Sequence, residues 1–379
     1  MSGTPRQLIY YGWLGNNNLG DEALYMAISH IFSSFPFRFS SVPADAYYGE
    51  DKEYSPVTII GGSTGIPDWM ECFRSTHYNY IFGAGVRDPS LFYTYLLQDP
   101  RASVWINRLK VFRYIGVRGE ISKNVLAKWG ITSEVIGDPS FSLRPSHLKA
   151  KEDDTICINL GSDGILWGMN DSLVFHEITK VIRKLKQEEY NIILIPFRNN
   201  NILSLSKLAK DEGVGFFDNW FNIQSTVDLI ASSKLLIGER VHSLGLSAAA
   251  GTPFVSIEYQ PPCFEIAQSL GFQDYSVRTD VLTEEKVIRL FHNLIENYDE
   301  MLGKLNEKVE IYRERQAKFA AQIVRDIDSL PQRYWRSSKI GRSTQKWFWR
   351  ADEVSHKSPS VWRIWDRLFF SHVMQYPPW

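Results

Sequence analysis

Leu235-Leu236-Ile237-Gly238-Glu239-Arg240-Val241-His242-Ser243, running on through Ala248-Ala249-Ala250-Gly251-Thr252-Pro253, is the stretch whose reading decides the fold. A short apolar run ends in a glycine, and a small-residue segment follows. This reads as a buried strand, a sharp turn and a helix. An apolar strand flanked by helical patterns belongs to a parallel sheet covered on both faces. In such sheets ligands bind beyond the carboxyl ends of the strands. Here that end carries a guanidinium, Arg240, and an imidazole, His242, which together suit an anion.

Working outward, the pattern repeats. Gln7-Leu8-Ile9-Tyr10-Tyr11 is a β-rich run leading into Gly12-Trp13-Leu14-Gly15-Asn16-Asn17-Asn18-Leu19-Gly20-Asp21-Glu22-Ala23. Glycine and asparagine tolerate the positive φ of a tight loop. Asp21 and Glu22 fall where a helix N-terminus favours negative charge, and Ala23 to Phe32 is helix-like. Such a loop either turns its N–H groups on an anion or is a plain βα turn. Val57 to Gly65, with Gly62 and Ser63, is a second strand-to-glycine turn, and Tyr80 to Val86, with Gly85, is a third. Val111 to Glu120 ends a strand in Arg118, and Ile121 to Trp129 is an amphipathic helix. Ser133 to Pro139 is one more strand, stopped by Asp138-Pro139. That pair reads as structural, because proline forces its predecessor out of the helical region.

The second half opens with Thr155 to Gly164, again strand then glycine turn. A helix from about Asp171 to Glu189, a strand Asn191 to Phe197, a helix Ile202 to Glu212, a short strand Val214 to Phe217 and a helix Ser225 to Ala231 lead to the opening stretch. Strand Phe254 to Ile257 and a helix around Cys263 to Leu270 follow it. Thr283 to Asp328 is a charge-laced helical region, broken in the middle, expected to cover the sheet or cross back to the first half. The expected fold class is α/β, with two Rossmann-like domains of parallel sheet facing across a cleft. The N-terminal domain is placed at 1–150 and the C-terminal domain at 151–330. A basic, Trp-rich tail fills 331–379, and polar Ser146 to Asp154 links the two domains.

Composition narrows the function class. With 379 residues, a net charge of −1 and 44% hydrophobic residues, the chain reads as a globular enzyme. The absence of a basic excess argues against nucleic acid as partner. Cys72, Cys157 and Cys263 are scattered and lack metal-ligand spacing, so thiols in a reducing compartment are expected and no metal. His30, His77 and His176 have no partner spacing, and no Gly-x-Ser-x-Gly elbow suggests a hydrolase. No apolar stretch reaches the ~20 residues of a spanning helix and no signal-peptide core is seen, so a cytoplasmic location is expected. The tail is different: 331–379 holds nine Lys/Arg against three Asp/Glu, and six of the twelve tryptophans. It reads as a surface that packs back on the body or forms a homo-oligomer contact. The alternative is a peripheral contact with headgroups at the inner face of the membrane.

Six motifs in this order resemble the polysaccharide pyruvyl transferases. They are Gly15 to Ala23, Gly61-Gly62-Ser63-Thr64, Gly83-Ala84-Gly85-Val86, Val117-Arg118-Gly119-Glu120-Ile121-Ser122, Gly137-Asp138-Pro139-Ser140-Phe141, and Arg240-Val241-His242 with Gly251-Thr252-Pro253. The resemblance spans roughly Leu8 to Val277 and implies a glycosyltransferase-B-like fold. It also implies transfer of the enolpyruvyl group of phosphoenolpyruvate onto a sugar, or a lipid-linked oligosaccharide, as a ketal. No cofactor is implied. On this resemblance Arg118 and Arg240 hold the donor's carboxylate and phosphate, and His242 is catalytic. Asn18, Gly20, Asp21, Gly62, Ser63, Gly85 and Ser243 complete the substrate-binding set. The residue types fit: carboxylate and phosphate on adjacent atoms call for planar arginine forks. A histidine titrating near neutrality suits proton transfer to the methylene carbon or the departing phosphate. For the sugar hydroxyl, Asp21, Asp138 and Glu239 stay open as bases. The pattern departs at Ser63, where the family has glycine, and at Glu258-Tyr259-Gln260-Pro261-Pro262-Cys263, which lacks the family's lysine. Two other functions remain on the residues alone. One is a nucleotide-sugar glycosyltransferase, using Glu258 and Arg240; the other is a non-catalytic scaffold.

Overall fold

The structure is a computed structural model that describes residues 7–33, 38–42, 57–61, 78–86, 102–146, 152–161 and 167–330. The tail and the Gly62-Ser63 turn lie outside the described residues.

The first half is a sheet of β1 (Gln7–Tyr11), β2 (Arg38–Val42), β3 (Val57–Ile60), β4 (Tyr78–Ala84), β5 (Tyr114–Val117) and β6 (Glu134–Val135). Its spatial order is β2-β1-β3-β4-β5-β6, and every pairing is parallel. The second sheet is built from β7 (Glu152–Asn159), β8 (Asn191–Leu194), β9 (Gly215–Phe216), β10 (Ser233–Gly238), β11 (Phe254–Glu258) and β12 (Ser276–Arg278). Its order is β12-β11-β10-β7-β8-β9, again wholly parallel. The α/β reading of two parallel sheets therefore holds. The opening stretch is central β10, with Leu236 paired to Cys157 on one side and Phe254 on the other.

Strand order locates the crevices. The chain reverses direction across each sheet between β1 and β3 and between β7 and β10, and ligands sit at such reversals. The loops that follow β1 and β10 are the Gly/Asn loop and Arg240-Val241-His242.

Among the described residues, two helices run from one half into the other. Helix α1 (Leu19–Phe32) is apolar on nearly every side, with Leu19, Ala23, Leu24, Ala27 and Ile28 all buried. A helix with no polar face is enclosed by protein. Leu19, Ala23 and Ala27 belong to the core that also holds Ile158, Leu236 and Leu244 of the second half, while Ile28 reaches the end of β3 at Gly61.

The charge-laced C-terminal region is two helices, broken at Asn297. Between α1 and this region lie α2 (Ala102–Leu109), α3 (Glu120–Lys128), α4 (Asp171–Gln187), α5 (Ile202–Glu212), α6 (Ile223–Ser232), α7 (Val241–Ala249) and α8 (Pro261–Leu270). The two are α9 (Glu284–Glu296) and α10 (Tyr298–Asp328). Met301, Leu305 and Val309 of α10 are buried in the second half's core. Further along, Phe319 packs on Phe82 and Tyr114 of the first sheet. Asp326 then accepts from Tyr80 Oη at 2.7 Å and Arg113 Nε at 2.6 Å. The helix therefore crosses back to the first half. β2, β12 and α2 were not legible in the sequence pattern, and β2 (Arg38-Phe39-Ser40-Ser41-Val42) is a short edge strand with little apolar signal. Among the described residues no helix is long and apolar enough to cross a membrane.

Candidate active site

His242 lies in the first turn of α7 and is buried. Gly20, in the first turn of α1, faces it so closely that a Cβ at Gly20 would overlap the imidazole. Asn18 caps α1 by accepting from Gly20 N–H at 3.1 Å. The Gly/Asn loop is stitched to the carboxyl end of β8. Leu19 N–H donates to Phe197 O at 3.0 Å, Asn199 N–H donates to Asn17 O at 3.3 Å, and Asn18 bridges Arg198. The loop is thus a contact between the halves. Gly20→Ala should displace either the imidazole or the loop, and turnover should fall on the order of 100-fold, as for an ångström-scale misplacement. A turnover assay beside a melting curve checks this; near-normal turnover would show that the contact does not set His242.

Arg240 is held by its own sheet. Its N–H donates to Asn159 Oδ1 at 3.1 Å, Asn159 Nδ2 donates to Ile195 O at 2.8 Å, and Arg240 Nη2 donates to Asn201 Oδ1 at 3.4 Å. Glu239 Oε2 accepts from Gly161 N–H at 2.6 Å and so secures a turn in which Gly161 has φ +123°. Ser243 Oγ donates to Arg240 O at 2.7 Å, so this hydroxyl closes the helix's first turn. Gly85 is buried beside Val86, whose N–H donates to Ser122 Oγ at 2.9 Å, while Arg118 N–H donates to Ala84 O at 3.2 Å.

Arg118 is 1% exposed, among the largest fully buried side chains. Its Nε donates to Glu265 Oε2 at 3.1 Å, and Glu265 Oε1 accepts from Ser122 N–H at 2.7 Å. Glu265 comes from α8 of the second half, so one carboxylate holds Arg118 and the start of α3 together. Arg118 Nη1 lies 3.8 Å from Asp138 Oδ2. Arg118 Nη1 and Nη2, Asp138 Oδ2 and His242 Nε2 are all buried with no hydrogen-bond partner among the described residues.

Electrostatics follow from this crowding. Burial, then Arg118, Arg240 and Arg198, push the His242 imidazole down to about 3, so it is neutral at physiological pH. Burial and Glu22 push Asp21 up to about 8, against Arg198 and Arg240. Burial lifts Glu22 to about 7, although Gly15 N–H donates to its Oε1 at 2.7 Å. Near neutrality Asp21 is therefore held mostly as the acid and cancels little of the positive field of Arg198 and Arg240.

Asn18, Gly20, Asp21, Arg118, Arg240 and His242 thus converge from both halves. Ser243 serves its own turn, and Gly62 and Ser63 lie outside the described residues. Sequence reading missed Arg198 and Glu265. Arg198 follows the strand-end Pro196-Phe197, a signal the strand-edge rule could have caught; Glu265 sits mid-helix and gives none. Asp138, read as structural, is half so: Oδ1 accepts from Ser140 N–H at 3.0 Å and Ser140 Oγ at 2.6 Å, and Oδ2 faces Arg118. Among the described residues no group of three or more His, Cys, Asp or Glu is placed to hold a metal ion.

Solved structures with this fold include the UDP-GlcNAc 2-epimerase of Neisseria meningitidis, at TM-score 0.57 and 13% identity, covering 85% of this chain and 100% of that one. Another is an α,α-trehalose-phosphate synthase (UDP-forming) of Burkholderia vietnamiensis, at TM-score 0.54 and 10% identity, covering 87% of this chain and 100% of that one. At such identities these likenesses speak for the glycosyltransferase-B-like fold alone. The amylovoran biosynthesis protein AmsJ of Erwinia amylovora is 28% identical over 99 residues, a stretch that spans 26% of this chain and 24% of that protein. The profile of the polysaccharide pyruvyl transferases matches residues 18–261, from the Asn18 cap of α1 through the Arg240–His242 turn to the start of α8, and the chain belongs to that family.

Proposed function

We propose that the protein transfers the pyruvyl group of phosphoenolpyruvate to a sugar of a surface polysaccharide or its lipid-linked precursor, closing a ketal on two hydroxyls. The observation that carries this reading is the buried set Arg118 Nη1, Arg118 Nη2 and His242 Nε2, drawn from opposite halves and without a hydrogen-bond partner among the described residues. A buried polar atom without a partner costs about 1–3 kcal/mol, so three in one place favour a ligand that satisfies them. Arg240 and Arg198 add positive field at the same place, as their effect on His242 shows. The ligand that fits carries two anionic groups close together, as phosphoenolpyruvate does.

Arg118 presents its fork to one anionic group of the donor and Arg240 the other, while the N-terminus of α7 favours the phosphate. Neutral His242 is ready to take a proton from the attacking hydroxyl. The donor's negative charge then offsets the arginines that hold the imidazole's basicity down, and the proton passes to the departing phosphate. Burial of the whole set keeps water from an oxocarbenium-like centre.

The test is a transfer assay with phosphoenolpyruvate and lipid-linked saccharides extracted from membranes. Phosphate release should match the acid-labile pyruvate gained by the saccharide. Release of a nucleoside diphosphate from a sugar nucleotide, with no phosphate released from phosphoenolpyruvate, would overturn the reading.

A further inference from the structure

Asp138 stands out among the buried groups that donor binding leaves unexplained. Its Oδ1 is spent on the turn at Pro139–Ser142, accepting from Ser140 N–H at 3.0 Å and Ser140 Oγ at 2.6 Å. Its backbone carbonyl accepts from Gln316 Nε2 of α10 at 2.8 Å. The carboxyl group is therefore fixed from two sides. Oδ2 is left buried with no hydrogen-bond partner among the described residues, 3.8 Å from Arg118 Nη1. The same corner touches the His242 helix. Gly245, three residues after His242 and so on the same face of α7, packs against Ser140 Oγ, and a Cβ there would lie 3.6 Å from Asp138 Oδ1. The Asp138 carboxyl thus turns Oδ2 to the fork of Arg118 while Oδ1 lies beside the helix face that carries His242. A turn-capping aspartate needs only one oxygen.

We propose that Asp138 delivers the proton to the methylene carbon of the donor and recovers one from an acceptor hydroxyl. The inference rests on the reading of the protein as a phosphoenolpyruvate-dependent transferase. The proton ledger closes with two groups. Asp138 protonates the methylene carbon, which becomes the methyl group, and positive charge develops at the adjacent carbon. The first hydroxyl oxygen bonds to that carbon and gives its proton to His242. The carbon–oxygen bond to phosphate breaks with its electron pair on phosphate, which takes the proton from His242. The second hydroxyl closes the ketal and returns its proton to Asp138. Both residues end as they began, and no oxidant or reductant is needed.

The surroundings favour a carboxyl that holds its proton. Burial raises Asp138 above the usual carboxylate range and Glu265 adds to the rise, while Arg118 and the Ser140 bonds oppose it. Asp21 of α1 and Tyr10 of β1 also lie within its field, and both are themselves raised. Once the donor's negative charge engages Arg118, the main opposition weakens.

Asp138→Asn tests the assignment, because its amide oxygen still accepts from Ser140. Donor affinity of the variant should stay within about threefold of wild type, while kcat falls about a thousandfold, in the range of a lost general acid. Turnover within about tenfold of wild type, with the donor bound, would overturn it. The wild-type pH profile is a second test that needs no variant. At saturating substrates kcat should fall with the loss of one proton as pH rises above the usual carboxylate range, and a kcat that does not fall on the basic side would overturn the assignment. If wild type itself neither binds phosphoenolpyruvate nor releases phosphate, the proposed function fails and this inference with it. A wild type that turns over beside an equally active Asp138→Asn would sink this inference alone.

Discussion

Replacing His242 with glutamine should lower phosphate release about a thousandfold while leaving the donor bound. Glutamine nearly preserves the volume that Gly20 packs against, so the contact between the halves survives. What is lost is a group able to take a proton and give it back. In the free protein the imidazole sits at about 3, through burial first and the three arginines second, and so is neutral. A neutral imidazole is the correct starting form for a base that collects a hydroxyl proton. It is the wrong starting form for an initial acid, and this departs from the expectation from the sequence, which made His242 a proton donor to the methylene carbon or the departing phosphate and left the base to Asp21, Asp138 or Glu239. Single-turnover phosphate release with donor prebound reads the effect on chemistry alone. Near-normal release by the glutamine variant would remove His242 from proton transfer.

Arg118→Lys should weaken donor binding by about 100-fold. The substitution keeps the charge and loses the fork: two charge-assisted hydrogen bonds to the donor at about 1.5–3 kcal/mol each are exchanged for a single ammonium. A net loss near 3 kcal/mol corresponds to about two decades in affinity. The Nε bond to Glu265, 3.1 Å in the native protein, is lost as well. Glu265 keeps Ser122 N–H at 2.7 Å, so α3 stays anchored and the fold should hold. Competition of the donor against a fluorescent phosphonate analogue measures the change. Unaltered affinity would place the donor's anionic groups elsewhere.

The sheets were legible in the sequence because their signals are local. An apolar run ending in glycine or arginine marks a strand and its carboxyl end whatever the rest of the chain does, and β10 with its Arg240–His242 turn follows from that alone. The edge strand β2 gave no such signal, since a strand paired on one side needs no continuous apolar run. The burial of most of α1 was not foreseen as a joint between halves. Its Ala23 and Ala27 read as helix formers, and only the assembled core shows that they face the second sheet.

Within the site, residues on strand-end turns could be named, and those that depend on how the halves meet could not. Glu265 has no neighbour in sequence that hints at Arg118, 147 residues away. Arg198 acts because the Asn18 loop pairs with it. Asp138 looked structural because Asp-Pro has a sufficient local explanation, and its second oxygen has meaning only beside Arg118. Glu258, offered by the sequence as a ribose partner, accepts from Trp167 Nε1 at 3.1 Å.

The central claim is that arginines gathered from opposite halves, beside His242, hold a small donor that carries two anionic groups. Calorimetric titration of phosphoenolpyruvate into the full chain at neutral pH tests it without knowledge of the acceptor. The account predicts saturable binding at one site, strongly weakened in Arg118→Lys and retained in His242→Gln. Binding of a nucleotide sugar with no heat from phosphoenolpyruvate would contradict it.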